Sequence, residues 1–189
     1  MVDFEKDITQ CLAVLEAGGL ILYPTDTVWG IGCDATNEAA VEKAYRLKKR
    51  PDEKAMIVLV AEERQVLQYV SAPDMEVFDY LDAATKPTTV IYPGAIGLAD
   101  NLIGPDGSIA IRICKEVFCR HLLKRFRKPV VSTSANLSGE PAAKAFNDIT
   151  PAIKAGVDYI VQYRQDDPSP ATPSSVIAWE NGKVKLIRP

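Results

Sequence analysis

The spacing of apolar and polar residues predicts short buried strands that alternate with amphipathic helices. Apolar residues recur at helical spacing near the amino terminus, and Asn37 is predicted to cap the second helix. The predicted helices cover residues 3–17, 38–50, 61–69, 74–84, 115–126 and 142–155, the last of them interrupted at Pro151. The predicted strands cover residues 20–23, 55–60, 88–92, 108–113, 129–132, 157–163, 174–179 and 183–187.

Turn and loop signals complete this pattern. Asn181-Gly182 lies between the last two strands and is a strong signal for a two-residue hairpin turn. Gly30 and Gly32 are expected either to let the backbone approach a neighbour closely or to adopt positive φ. The glycine-rich segment 93–107 is expected to be functional or mobile, because loops of that length are uncommon. Together the elements predict an α/β fold with a mixed, twisted sheet and helices packed around it.

Composition places the chain among globular proteins, with 47% hydrophobic and 25% charged residues. No apolar run is long enough to span a membrane and no signal-peptide core is visible, so we expect a cytoplasmic location without membrane association. The four cysteines form no CxxC pair and the only histidine is His121. We therefore expect packed, reduced thiols and no metal site.

The charge pattern indicates an anionic ligand. Although the formal net charge is −3, the cations cluster within residues 46–54 and 120–128. Lys48, Lys49 and Arg50 follow one another at a predicted helix end, where cations also occur as ordinary solvated charge. Such local clusters suit an anionic small molecule or one face of an RNA.

Two motifs carry a family resemblance. PTDTVWGIG at residues 24–32, followed by Lys48-Lys49-Arg50-Pro51, is similar to the PT(E/D)TVYGLG and KxRP signature of the YrdC-like family. The second block, SxN with a following SG, is Ser134-Ala135-Asn136-Leu137-Ser138-Gly139. This family includes threonylcarbamoyl-adenylate synthase and YciO-type relatives. The resemblance implies one YrdC-like domain over residues 1–189, wrapped around a basic concave groove.

The resemblance also implies a reaction. L-threonine and bicarbonate form a carbamate that attacks the α-phosphate of ATP, giving threonylcarbamoyl-AMP for tRNA threonylcarbamoyladenosine (t6A) biosynthesis. Mg²⁺ is expected because ATP usually binds as its magnesium complex. Possible partners are tRNA or double-stranded RNA and proteins of the t6A pathway.

Family roles carry over to eleven positions of this sequence. The expected roles are catalytic phosphate or carbonate binding by Lys48 and Arg50; substrate binding by Thr25, Thr27, Arg112, Ser174 and Ser175; and nucleotide binding by Ser134, Asn136, Ser138 and Arg188. Arg50 offers a planar fork for a phosphate, whereas Lys48 offers a point charge.

Three departures from the family pattern bear on the substrate. Lys86-Pro87-Thr88-Thr89 stands where the family carries PGPxT, Leu59 stands at a usual histidine, and Trp29 replaces a tyrosine. Because leucine cannot hydrogen-bond a substrate hydroxyl, we expect threonine to bind more weakly than ATP. The alternatives are an RNA-binding module and a YciO-type relative without threonine-specific synthase activity. Threonine-dependent pyrophosphate release distinguishes the synthase from both.

Overall fold

The computed structural model describes residues 3–51 and 55–189, which form nine strands and six α-helices. The helices are α1 Glu5–Glu16, α2 Glu38–Lys48, α3 Glu63–Tyr69, α4 Glu76–Ala83, α5 Val117–Phe126 and α6 Pro151–Gly156. The strands are β1 Ile21–Tyr23, β2 Gly30–Gly32, β3 Ile57–Val60, β4 Thr88–Tyr92, β5 Ile109–Ile113, β6 Val130–Ser134, β7 Tyr159–Ile160, β8 Ser175–Glu180 and β9 Lys183–Arg188.

The strands form one mixed sheet in the order β7-β1-β2-β6-β3-β5-β4-β8-β9. Three neighbouring pairs are parallel (β1 with β7, β3 with β5, β4 with β8), and the other five are antiparallel. Helix α1 packs on α5, and α3 and α5 contact β3. The predicted α/β fold with a mixed sheet is therefore confirmed.

Two neighbouring cations at the end of helix α2, Lys48 and Lys49, have opposite environments. Asn37 caps its start by accepting the Ala40 N–H at 3.1 Å, as predicted. At the other end Lys49 adopts the left-handed conformation, with φ of 52°, and terminates the helix. Lys48 lies on the buried face of the helix with Ala44 and Tyr45 and is 1% exposed, whereas Lys49 is exposed.

The Gly-Ile-Gly segment is a strand that the sequence pattern did not predict, and of the two alternatives expected for its glycines the structure shows the close approach of a neighbour. Gly30 and Gly32 lie in β2, between β1 and β6, where residues of the two neighbouring strands crowd the space that a side chain would need, most severely at Gly32. A Cβ at Gly32 would lie 2.5 Å from the Tyr23 ring and 3.0 Å from the Val131 carbonyl oxygen. The glycines therefore permit close strand packing, and neither has positive φ.

The predicted helix 142–155 and strand 157–163 are both too long. Helix α6 begins at Pro151, which occupies the first helical position, where its missing N–H costs nothing. The preceding residues form only a short 3₁₀ turn, in which Asp148 accepts the Ala145 N–H at 3.1 Å. Only Tyr159–Ile160 pairs with the sheet. Proline thus starts this helix instead of interrupting it.

All four cysteines are free and buried, as predicted. Burial raises the pKa of the Cys11 and Cys33 thiols well above their usual range. Within the described part of the chain, no group of three or more metal-binding side chains occurs. Across these same residues, none of the helices has the length and apolar character needed to span a membrane.

Candidate functional site: a groove lined by three arginines

A groove of about 490 Å³ lies over one face of the central strands. Cross-strand partners point to the same face of a sheet, and the pairs Ile57–Ser132 and Ile91–Ala110 both line this groove. Val176 of β8 continues the same floor. A volume of this size is in the ordinary range for small-molecule pockets.

The charged lining of the groove is mostly cationic. Arg50, Arg112 and Arg188 line it, with Glu140 as the acidic residue among the described lining. Burial lowers the pKa of Arg50 and Arg188, and the positive charge of Arg112 lowers that of Arg188 further. Cations that are crowded in this way create a field that favours an anionic ligand.

Arg112 is held in place by a hydrogen-bonded shell. Its side chain is 2% exposed, and its Nη2 and Nε lie 3.0 and 3.1 Å from the same carboxylate oxygen of Asp26. Nη2 also donates to the Thr27 hydroxyl at 3.2 Å, and Nη1 donates to the Thr89 hydroxyl at 3.5 Å. The bond from Nη1 to Thr89 is the longest of these, so Nη1 is the most weakly hydrogen-bonded nitrogen of the guanidinium.

The two threonines of the PTDT motif have different environments. Thr27 lines the groove beside Arg112, whereas Thr25 is buried and lines a small neighbouring cavity. The Thr25 hydroxyl donates to the Val28 carbonyl at 2.7 Å and accepts the Thr27 N–H at 3.0 Å. Thr25 therefore shapes the turn that presents Asp26 and Thr27.

Lys48 contacts the SANLSG segment and does not line the groove. Its Nζ donates to the carbonyls of Ser134 and Asn136, the latter at 2.9 Å, and lies 3.4 Å from the Ser134 hydroxyl. In return the Ser138 N–H donates to the Lys48 carbonyl at 2.8 Å. Burial, with Arg50 nearby, lowers the pKa of Lys48 to about 7. Lys48 thus ties the end of α2 to the loop after β6.

Within that loop, Ser134 and Asn136 line the groove and Ser138 does not. The Asn136 amide donates to the carbonyls of Leu137 at 3.0 Å and Glu140 at 2.7 Å. These bonds fold residues 136–140 into a compact turn at one end of the groove.

The carboxyl-terminal hairpin closes the other side through Ser174 and Arg188. The Arg188 guanidinium donates twice to the Ser174 carbonyl, at 2.8 and 3.1 Å, and the Ser174 hydroxyl lies 2.8 Å from that of Thr89. Ser175 points to the opposite face, as alternation along a strand requires. Its buried hydroxyl has no hydrogen-bond partner among the described residues.

The position of Leu59 in the structure does not support the expectation that this residue weakens threonine binding. Leu59 pairs with Arg112 on the groove face of β3, but its side chain is 0% exposed and does not line the groove. A substrate hydroxyl therefore has no access to this position, and the placement of Leu59 in the pocket was wrong. In the segment Lys86–Thr89, which departs from the family's PGPxT, Thr89 contacts Arg112.

The structure thus divides the eleven predicted residues into two groups. Those brought together in the groove lining are Thr27, Arg50, Arg112, Ser134, Asn136, Ser174 and Arg188. Those outside the lining are Thr25, Lys48, Ser138 and Ser175. Asp26, Thr89 and Glu140 are part of the site without being predicted; the available signals are the position of Asp26 inside the PTDT motif and that of Thr89 at the last position of the PGPxT-like segment.

Comparisons with known proteins show the family to which the chain belongs. Residues 13–189 match the family Sua5_yciO_yrdC, described as telomere recombination. The chain is 37% identical to the threonylcarbamoyl-AMP synthase of Stenotrophomonas maltophilia over 160 residues, which are 83% of this chain and 86% of that protein.

Two solved structures share the fold. The crystal structure of P. abyssi Sua5 complexed with L-threonine has a TM-score of 0.88 at 22% identity, covering 100% of this chain and 55% of that one. The crystal structure of E. coli YciO has a TM-score of 0.83 at 22% identity, covering 97% of this chain and 88% of that one. This chain therefore spans about half of the Sua5 chain.

Proposed function

The chain belongs to the Sua5/YciO/YrdC family, and on that premise we propose that it is an L-threonylcarbamoyladenylate synthase acting in t6A biosynthesis. The curated relatives that match most of its length are threonylcarbamoyl-AMP synthases. One structural observation carries the proposal: both family motifs meet across a groove into which Arg50, Arg112 and Arg188 converge.

The proposed reaction has two steps. The amine of L-threonine adds to bicarbonate with loss of water and gives a carbamate. A carbamate oxygen then forms a bond to the α-phosphorus of ATP, while the bond from that phosphorus to the bridging oxygen of the β-phosphate breaks. The electron pair leaves with pyrophosphate. Positioning and charge stabilisation suffice for both steps, so no protein nucleophile is required.

The residues suit these tasks at different ends of the groove. We assign the threonine carboxylate to the Nη1 side of Arg112, because this side has the longest internal bond, to Thr89, while Thr27 holds Nη2. Arg50 offers a fork for the phosphates. Ser134 and Asn136 form the nucleotide end. Mg²⁺ would enter as the ATP complex.

The remaining expectations extend this proposal. Residues 1–189 act as one YrdC-like domain, and the adenylate is passed to proteins of the t6A pathway that modify tRNA. The alternative of a YciO-type, RNA-binding protein without synthase activity has fold similarity as its support, and E. coli YciO is 22% identical to this chain. The curated synthases, at 35–37% identity, favour the enzyme.

Pyrophosphate release tests the proposal directly. Purified protein is incubated with Mg-ATP and bicarbonate, with L-threonine or L-serine, and pyrophosphate is measured by a coupled assay while mass spectrometry identifies the adenylate. We expect release that requires both threonine and bicarbonate. Absence of threonine-dependent release, together with salt-sensitive binding of double-stranded RNA, would support the alternative.

A further inference from the structure

The turn at residues 24–28 is held by two residues that do not line the groove, Arg164 and Cys119. Arg164 donates from Nη1 to the Thr25 carbonyl at 3.0 Å. The Cys119 thiol donates to the Pro24 carbonyl at 3.2 Å. Both contacts are made to backbone carbonyls, so they determine where the turn lies without contacting its functional side chains.

Arg164 is itself fixed by two carboxylates. Its Nε donates to Asp167 at 3.2 Å, and its Nη1 lies 3.7 Å from Glu116. Glu116 in turn caps α5 by accepting the Cys119 N–H at 2.8 Å. Arg164 also has a φ of 63°, a left-handed conformation that is uncommon for a residue other than glycine. The guanidinium thus joins three parts of the chain: the turn, the start of α5 and the segment after β7.

The anchored turn leads directly to the groove. Asp26 follows the carbonyl that Arg164 holds and forms the ion pair with Arg112. Thr27 then accepts a hydrogen bond from Arg112, while its own N–H donates to the Thr25 hydroxyl. A shift of the Thr25 carbonyl would therefore move both groups that orient Arg112.

We propose that Arg164 is a positioning residue for the amino-acid end of the groove. It sets the turn and, through Asp26 and Thr27, the orientation of Arg112. The inference rests on the proposed function, in which Arg112 receives the threonine carboxylate. Lysine cannot replace Arg164 fully, because one ammonium lacks the rigid fork that reaches the carbonyl and both carboxylates together.

Steady-state kinetics of Arg164→Gln, Arg164→Lys and the control Arg125→Gln test this inference. Arg125 is a suitable control because it, too, is an arginine paired with a carboxylate. It donates two bonds of 2.7 Å to Glu5, and it does not line the groove. For Arg164→Gln we expect the KM for threonine to rise about tenfold, the scale of one lost charge-assisted bond, with the KM for ATP changed less than about twofold. Arg164→Lys should lie between this variant and wild type.

Hydrogen exchange of the unliganded protein supplies a readout that does not depend on activity. The Thr27 amide, which is bonded within the turn, should exchange faster in Arg164→Gln and remain as in wild type in Arg125→Gln. If misfolding affects Arg164→Gln, Asp167→Asn removes the carboxylate that orients Arg164 and should produce the same changes more weakly.

The outcomes separate the two proposals. Equal increases in both KM values, or unchanged exchange at Thr27, would overturn the positioning role even in an active enzyme. If the wild type releases no threonine-dependent pyrophosphate, the proposed function fails. In that case, faster exchange confined to the turn would still support the structural part of the inference.

Discussion

Replacing Lys48 by methionine tests how the groove is assembled. Lys48 is 1% exposed, and its amine donates to the carbonyls of Ser134 and Asn136. The Ser134 carbonyl also accepts the Asn136 N–H at 2.9 Å, so it keeps a partner after the substitution. The Asn136 carbonyl loses the bond from Lys48. One part-buried acceptor left unsatisfied and one further lost bond should cost about 2–4 kcal/mol.

The loss of unfolding free energy in Lys48→Met should increase as the pH rises. The pKa of Lys48 is about 7 in the folded protein, against an ordinary value of 10.5. Between these values the folded state binds fewer protons than the unfolded state, so the contribution of Lys48 to the unfolding free energy increases as pH rises. From pH 6.5 to 8.5 this increase amounts to about 2 kcal/mol. A neutral amine retains two N–H groups, enough for both carbonyls.

Urea unfolding of wild type and Lys48→Met at pH 6.5 and 8.5 measures this difference. We expect the 2–4 kcal/mol cost at pH 8.5 and a smaller cost at pH 6.5. Lys43→Met is the matched control: Lys43 lies on the same helix and donates to the Gly18 carbonyl at 3.0 Å, but it is exposed. Its replacement should cost less than about 1 kcal/mol. A Lys48→Met cost that stays constant or falls with pH would refute the reasoning.

Three further substitutions test the groove and its sheet. Arg50→Lys should weaken ATP binding tenfold to roughly a hundredfold in calorimetry, whereas Arg46→Lys, on the exposed face of the preceding helix α2, should change it less than about twofold; equal effects would indicate a diffuse basic surface. Ser174→Ala should lower turnover, while Ser175→Ala should leave turnover unchanged and not lower the Tm, because the Ser175 hydroxyl is buried without a described partner. Gly32→Ala should reduce the unfolding free energy by about 1–3 kcal/mol in urea, since the added methyl meets an aromatic ring at 2.5 Å; an unchanged value would contradict the packing between strands.

Local sequence signals predicted most of the elements. The Asn37 cap and the Asn181-Gly182 turn give the correct start of α2 and the correct final hairpin, because both depend on hydrogen bonds and dihedral angles within a few residues. The strand at Gly30–Gly32 could not be predicted in the same way. Its glycines are required by neighbours from β1 and β6, and these contacts form only in the assembled sheet.

Only part of the candidate site could be predicted, because its remaining residues depend on contacts between distant segments. Motif resemblance predicted Arg50 and Arg112, but it could not show that Lys48 is directed at backbone carbonyls, because those carbonyls belong to Ser134 and Asn136 in a loop far along the chain. Likewise Ser174 and Ser175 are equivalent in the sequence, and strand alternation separates them onto opposite faces. Arg164 has no motif of its own; its proposed role follows from its bond to the Thr25 carbonyl, 139 residues earlier in the chain.

A crystal structure of the protein grown with Mg-ATP, L-threonine and bicarbonate would test the central claim most directly. We expect the adenylate, or its substrates, in the groove between Arg50, Arg112 and Arg188. The threonine carboxylate should lie at Arg112 and the nucleotide at the Ser134–Asn136 end. Density for these molecules outside the groove, or the carboxylate at the opposite end from Arg112, would contradict it.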